Sequence, residues 1–182
     1  MAEVLILTGP PAAGKTAVAD ALCERYDRVA HIDVNMVRHF LRAGFVAPWR
    51  QGPDWERQHR LAVRNAAVIA RNFLAEKIGV IADDVVDAQS LGWYLEELKP
   101  AGASVHLVRL MPSLAVCEAR NTSRGEGRVR PAWVTEIYER FAKAADFAGS
   151  TIDNSDLSVE ETADRLLALT TQGKSLVWAS AA

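Results

Sequence analysis

Eight residues near the start of the chain, Gly9-Pro10-Pro11-Ala12-Ala13-Gly14-Lys15-Thr16, have the types and spacing of a polyphosphate cradle. They fit G-x-x-x-x-G-K-[ST] and lie between the apolar run Val4-Leu5-Ile6-Leu7 and a helix-forming segment from Ala17. Gly9 and Gly14 free the backbone to curl, so that successive N–H groups face one anion and the positive end of the next helix adds to them. The expected nucleotide-binding stretch is therefore Gly9, Pro10, Pro11, Ala12, Ala13, Gly14, Lys15, Thr16 and Ala17. Lys15 is expected to reach the β- and γ-phosphates of ATP. The Thr16 hydroxyl is expected in the shell of a Mg²⁺ ion, a hard cation that prefers oxygen.

Further groups belong at the same rim. Asp33 closes the short run Val29-Ala30-His31-Ile32, where its carboxylate can accept the proton of a substrate hydroxyl attacking the γ-phosphoryl group. The competing role for Asp33 is N-cap of a helix beginning near Asn35. Arg38 is placed to hold polar groups of a substrate, with a solvated helix face as the other account. Asp83 and Asp84 close the run Val80-Ile81-Ala82, and because strand side chains alternate, only one of them can face the nucleotide. Asp83 is expected to join Thr16 at the metal, while Asp84, and Asp87 after it, face substrate or cap the next helix. Arg120, Arg124, Arg128 and Arg130 cluster around Gly125 and Gly127. Arg120 is expected at the nucleotide, and Arg124 and Arg130 over the transferred group, where a guanidinium neutralises developing charge. Arg120 and Arg124 share a face if their helix continues that far. Asp153 opens a loop, Asp153 to Ser155, that either borders adenine or simply turns. His31, His39, His59 and His106 lack metal-ligand spacing, and Trp49, Trp55 and Trp93 suit either an acceptor pocket or the core.

These groups need a scaffold of alternating strands and helices. Strands are expected at residues 4–8, Val29 to Asp33, Val80 to Asp83–Asp84, Val105 to Leu110 and Thr151–Ile152. Helices are expected at Ala17 to Tyr26, Asn35 to Leu41, Asp54 to Lys77, Ser90 to Leu98, Pro112–Ser113 to Thr122, Ala132 to Ala145 and Val159 to Thr170. In the long helix, Leu61, Ala62, Ile69, Phe73 and Leu74 share a face and Gly79 ends it. Ser123 to Pro131 is too rich in Arg and Gly to pack as core and reads as a mobile lid. The implied architecture is α/β: a three-layer P-loop fold with a parallel sheet of about five strands, helices on both faces and an arginine-rich lid. Residues 1–182 suit one domain, with the lid at about 123–131 and a tail, 172–182, in which Val177-Trp178 adds at most a packing contact.

The balance of 21 basic and 23 acidic side chains argues against a broad nucleic-acid surface, although Arg50, Arg57, Arg60 and Arg64 form a local basic run. Cys23 and Cys117 are too far apart for metal-ligand spacing and read as core residues in a reducing compartment. No targeting segment or membrane span is evident, so a cytoplasmic location is expected.

With the phosphate loop, Asp33, the strand ending at Asp83-Asp84 and the arginine lid in this order, residues 4 to about 170 resemble the small P-loop kinases. The likeness is to the chloramphenicol phosphotransferase-like group and, more distantly, to shikimate and gluconate kinases and zeta toxins. The resemblance implies Asp33 as catalytic base, Arg120 stacking on adenine, and Arg130-Pro131 as the lid Arg-Pro. The segment Ile32 to Arg38 lacks the residues that would mark one acceptor, and the lid spacing is longer than in shikimate kinase. The expected activity is ATP- and Mg²⁺-dependent phosphorylation of a small-molecule hydroxyl, with acceptor and oligomeric state left open. The alternatives are a nucleotide-dependent switch, for which N-K-x-D and D-x-x-G segments are missing, and a nucleic-acid 5′-end kinase.

Overall fold

The computed structural model describes residues 3–144 and 147–180. Its strands are β1 (Glu3–Thr8), β2 (Val29–Asp33), β3 (Gly79–Asp83), β4 (Ser104–Leu110), β5 (Ser150–Ile152) and β6 (Leu176–Trp178). Its helices are α1 (Lys15–Cys23), α2 (Val34–Arg38), α3 (Pro53–Ala75), α4 (Ala88–Leu98), α5 (Leu114–Thr122), α6 (Pro131–Lys143) and α7 (Val159–Thr171). The first five strands form a parallel sheet in the order β2-β3-β1-β4-β5. The expected parallel sheet is present, with one addition. β6, drawn from the segment read as a tail, pairs antiparallel with β4 beside Val105 and His106.

Period-two alternation divides the core between two helical layers. Val4 and Ile6 of β1 face a cluster built with α3 and α4, including Ala62, Ala66, Ala67, Ala70 and Leu98. Leu5 and Leu7 face the opposite cluster, where Val18, Ala19 and Leu22 of α1 meet Ala163 and Leu166 of α7. The α3 contact is made mainly by alanines, joined by Val63 and Leu74, and the small side chains let the helix lie close to the sheet. Leu61 and Phe73, expected on that face, are exposed.

The ends of α3 also differ from expectation. Gly52 is the N-cap and Pro53 opens the helix, its fixed φ and missing N–H being suited to the first turn, so Asp54 lies inside. At the far end the helix stops before Gly79. Lys77, at φ 59, takes the left-handed position, with Lys77 N–H donating to Leu74 and Ile78 N–H to Phe73 in a Schellman motif. The α2 helix is shorter than expected, and α5 ends at Thr122, so Arg120 and Arg124 do not share a helix face. The expected end of the α6 helix at Ala145 lies outside the described residues. Between α5 and α6, the buried Asn121 side chain closes the lid at its base. Its Nδ2 donates to the Val129 carbonyl (2.8 Å) and its Oδ1 accepts from Val129 N (2.9 Å).

Candidate active site

The loop between β1 and α1 is held in the curl its glycines allow. Gly9, Ala12 and Gly14 all have positive φ, at 146, 65 and 97°. A Cβ on Gly9 would stand 2.2 Å from the Leu110 carbonyl oxygen, so this position is restricted by space as well as by dihedral angle. Behind the loop, Asn154 Nδ2 (3.0 Å) and Arg120 Nη1 (3.3 Å) donate to the Ala13 carbonyl, and Arg120 Nη2 donates to the Asn154 carbonyl (3.2 Å). Arg120 thus braces the loop together with the α5 helix and the segment after β5. Asp153 turns away and accepts from Ser155 N and Oγ (2.9 and 2.6 Å). The buried residue of that segment is its neighbour, Asn154.

Lys15 Nζ donates to the Gly9 and Pro10 carbonyls (3.0 and 3.1 Å). Burial pushes its pKa down, opposed by the carboxylates of Asp83 and Asp84. For Asp83, burial favours the neutral acid, but hydrogen bonds from His31 and Thr16 and the charge of Lys15 outweigh it, leaving the carboxyl below its usual range. His31 bridges two carboxylates, with Nε2 3.2 Å from Asp83 and Nδ1 3.0 Å from Asp20, and its pKa is raised chiefly by the Asp83 bond. The Asp83 carboxylate, aligned by the His31 imidazole, and the Thr16 hydroxyl on the same cavity are hard oxygen donors suited to Mg²⁺. Among the described residues no group of three or more His, Cys, Asp or Glu is placed to hold a metal unaided.

Asp84 takes the other direction. Its carboxylate accepts from Arg38 Nη2 (3.1 Å), Val85 N (2.7 Å) and the Tyr94 hydroxyl (3.2 Å). Arg38 Nη2 also meets His59 Nδ1. Asp33 caps α2 with a single oxygen, Oδ1, which accepts from Asn35 N (2.8 Å) and Met36 N (3.2 Å).

One cavity of about 740 Å³ gathers these groups. Pro11, Ala12, Gly14, Lys15, Thr16, Asp33, Arg38, Asp83, Asp84 and Arg124 line it, whereas Arg120, Arg130 and Asp153 do not. Arg130 instead lies over the Trp49 ring at 5.7 Å.

A family model described as an AAA domain matches residues 4–147. The chain belongs to this AAA-domain family. No curated protein matches the chain. Solved structures share its fold. The APS kinase of Mycobacterium tuberculosis, in complex with AMPPNP and APS, is 19% identical with a TM-score of 0.68, covering 93% of this chain and 98% of that one. The tunicamycin resistance protein of Deinococcus radiodurans is 21% identical with a TM-score of 0.67, covering 98% and 99%. Shikimate kinase from Acinetobacter baumannii, in complex with shikimate, is 21% identical with a TM-score of 0.62, covering 96% of each chain. This AAA-domain chain therefore has the fold of the P-loop kinases.

Several residues of the AAA-domain cavity escape a reading by motif. Trp133, Ile137 and Phe141 form a stripe four residues apart on α6, and Phe147 follows it on the cavity wall. That spacing was visible, but not which side of the stripe is open. His59 is a lone histidine within α3, with no local signal of its position against Arg38. Arg57, Arg60 and Arg64 of the basic run pair with Asp54, Glu96 and Glu97. Each of these three arginines is thus engaged with a neighbouring carboxylate at the surface. Among the described residues, no helix is long and apolar enough to cross a membrane.

Proposed function

We propose that the chain transfers the γ-phosphoryl group of ATP to a hydroxyl of a small molecule in a Mg²⁺-dependent reaction. The observation that carries this reading is the state of Asp33. One carboxylate oxygen holds the α2 cap, while Oδ2 makes no bond to the protein among the described residues and the side chain lines the same cavity as Lys15. The cap fixes the carboxylate without occupying the oxygen that a base needs.

The acceptor hydroxyl gives its proton to Asp33 Oδ2 as its oxygen bonds to the γ-phosphorus, and the bond to the ADP leaving oxygen breaks. Lys15 and the loop N–H groups hold the β- and γ-phosphates, and Arg124 counters charge gathering on the transferred group. Thr16 and Asp83 would hold Mg²⁺, which would supply neutralisation of the charge that gathers during transfer.

Asn keeps a capping oxygen, so Asp33→Asn is expected to melt as the parent does and to bind AMPPNP with unchanged affinity. Its acceptor-dependent ADP formation is expected to fall roughly 10²- to 10⁴-fold. Lys15→Ala is expected to weaken AMPPNP binding as well as turnover. Near-normal turnover in Asp33→Asn would reduce Asp33 to a helix cap.

A further inference from the structure

We infer that Arg120 and Asn154 act together as positioning residues of the phosphate loop: by holding the Ala13 carbonyl behind the loop, they aim the Gly14 N–H at bound polyphosphate. The inference rests on the phosphotransferase reading for the identity of the anion as ATP, and it gives both side chains a role independent of the base.

One peptide unit carries the effect. Its atoms lie in a plane with the bond trans, so the Ala13 carbonyl and the Gly14 N–H point in opposite directions. Ala13 is fully buried and does not line the cavity, whereas Gly14 does. The carbonyl therefore faces the interior behind the loop, and the N–H faces the cavity beside Lys15 and Thr16. Two donors take that one oxygen, Asn154 Nδ2 at 3.0 Å and Arg120 Nη1 at 3.3 Å. They come from different elements, the segment after β5 and the α5 helix, and neither residue lines the cavity. Arg120 Nη2 ties the two together through the Asn154 carbonyl at 3.2 Å. Arg120 Nη1 and Asn154 Nδ2 also stand 3.7 and 3.8 Å from the place a Cβ on Gly14 would take, so they abut the peptide they restrain.

The loop needs such a restraint. Ala12 holds φ 65° despite its Cβ, and Gly14 follows at 97°. Backbone of this kind turns N–H groups inward and persists only where the surroundings hold it. Ala13 N–H donates to the Pro10 carbonyl at 3.2 Å, so a turn bond fixes one side of residue 13 and the two outside donors fix the other. Asn154 is kept there against its own interest. The residue is 2% exposed, and its Oδ1 is buried without a hydrogen-bond partner among the described residues. Turning the amide over would set that oxygen against the Ala13 carbonyl, so the orphan follows from keeping Nδ2 on the loop. The Arg120 fork lets one side chain hold two carbonyls, and a lysine would keep the charge without the fork.

The test compares affinity for AMPPNP with affinity for inorganic tripolyphosphate, which has no base, by calorimetry on the full chain in one Mg²⁺ buffer. The variants are Arg120→Lys, which keeps the positive charge, and Asn154→Leu, which changes no charge, each with a thermal melt. Both are expected to melt near the parent. Each is expected to weaken both ligands by the same factor, roughly 5- to 10-fold, as for the loss of one positioned hydrogen bond. With isotopically labelled glycine, the Gly14 amide proton is expected to move downfield in the NMR spectrum when tripolyphosphate binds the parent, and to move less in Asn154→Leu. A general loss of stability would not single out that proton. Weakened AMPPNP binding with tripolyphosphate binding kept would make Arg120 a base contact and overturns the inference. So do parent affinities in both variants, or a Gly14 shift equal to that of the parent. Should Asn154→Leu melt well below the parent, the two affinities of Arg120→Lys decide in its place. A parent that binds both ligands, with the expected losses in the variants, yet phosphorylates no hydroxyl supports the clamp and overturns the phosphotransferase reading instead.

Discussion

His59 is 7% exposed and faces charges of both signs. Burial is the largest influence on its pKa, Arg38 and Arg140 add to the depression, and Asp84 and Asp87 oppose it, leaving a value of about 4. In the unfolded chain the imidazole titrates near 6.5. Between those values the unfolded chain binds a proton that the folded one does not, so stability falls as pH drops from about 6.5 towards 4, by up to about 3 kcal/mol. His31 acts in the opposite sense and in another window. Its raised pKa adds stability below about 6.5 that is lost as pH rises through the folded value. Urea midpoints at pH 7, 5.5 and 4.5 are expected to fall steeply in the parent and less so in His59→Phe; equal slopes would contradict a neutral buried imidazole. At this scale the motif residues were legible because phosphate chemistry restricts type and spacing together, as at Gly14-Lys15-Thr16. Neither Asn154 nor His59 was, because each takes its surroundings from segments more than twenty residues away, Ala13 for one and Arg38 for the other.

Lys77 makes the α3 terminus a test of backbone strain. It occupies the left-handed position that glycine normally fills, and its side chain is exposed, so little packing is at stake. Lys77→Gly is expected to stabilise the fold by roughly 0.5–1 kcal/mol, relief of the left-handed strain being offset in part by the greater freedom of an unfolded glycine. A higher denaturation midpoint at unchanged slope is the expected record, and a lower one would show that the strain is absorbed elsewhere. The same helix shows where pattern reading stops. Strand positions were plain from short apolar runs, as in Val4 to Leu7, and so was the existence of α3. Its buried face was legible only in part: Ala62 and Leu74 are buried as expected, but alanines serve both surface and core, and Leu61 and Phe73 carry the larger apolar signal yet face solvent. Its end was misplaced because Gly79 was read as the stop while Lys77 performs it.

On the scale of the whole sheet, the free edge of β4 is shared. β5 covers residues 108–110, and the segment from Ser175 to Trp178 covers the preceding half. Ser175 is fully buried, its hydroxyl meets His106 Nδ1 (2.9 Å) and its carbonyl accepts from Leu107 N (2.8 Å). Removing residues 173–182 strips these partners and uncovers the apolar neighbours of Val177. A loss of at least ~2 kcal/mol is expected by chemical denaturation, and an unchanged midpoint would make β6 dispensable. Nothing in Leu176-Val177-Trp178 itself announces a strand, since three residues form one only when an open edge awaits them. The distribution of the aromatic residues has a different consequence. Trp49, Trp55 and Trp133, three of the five tryptophans in the chain, border one cavity. Indole emission responds to the polarity around the ring, so much of the intrinsic fluorescence arises where an acceptor would sit. The protein therefore carries its own optical reporter, and compounds that enter the cavity can be found by their effect on that light, on unlabelled material and before any turnover is observed.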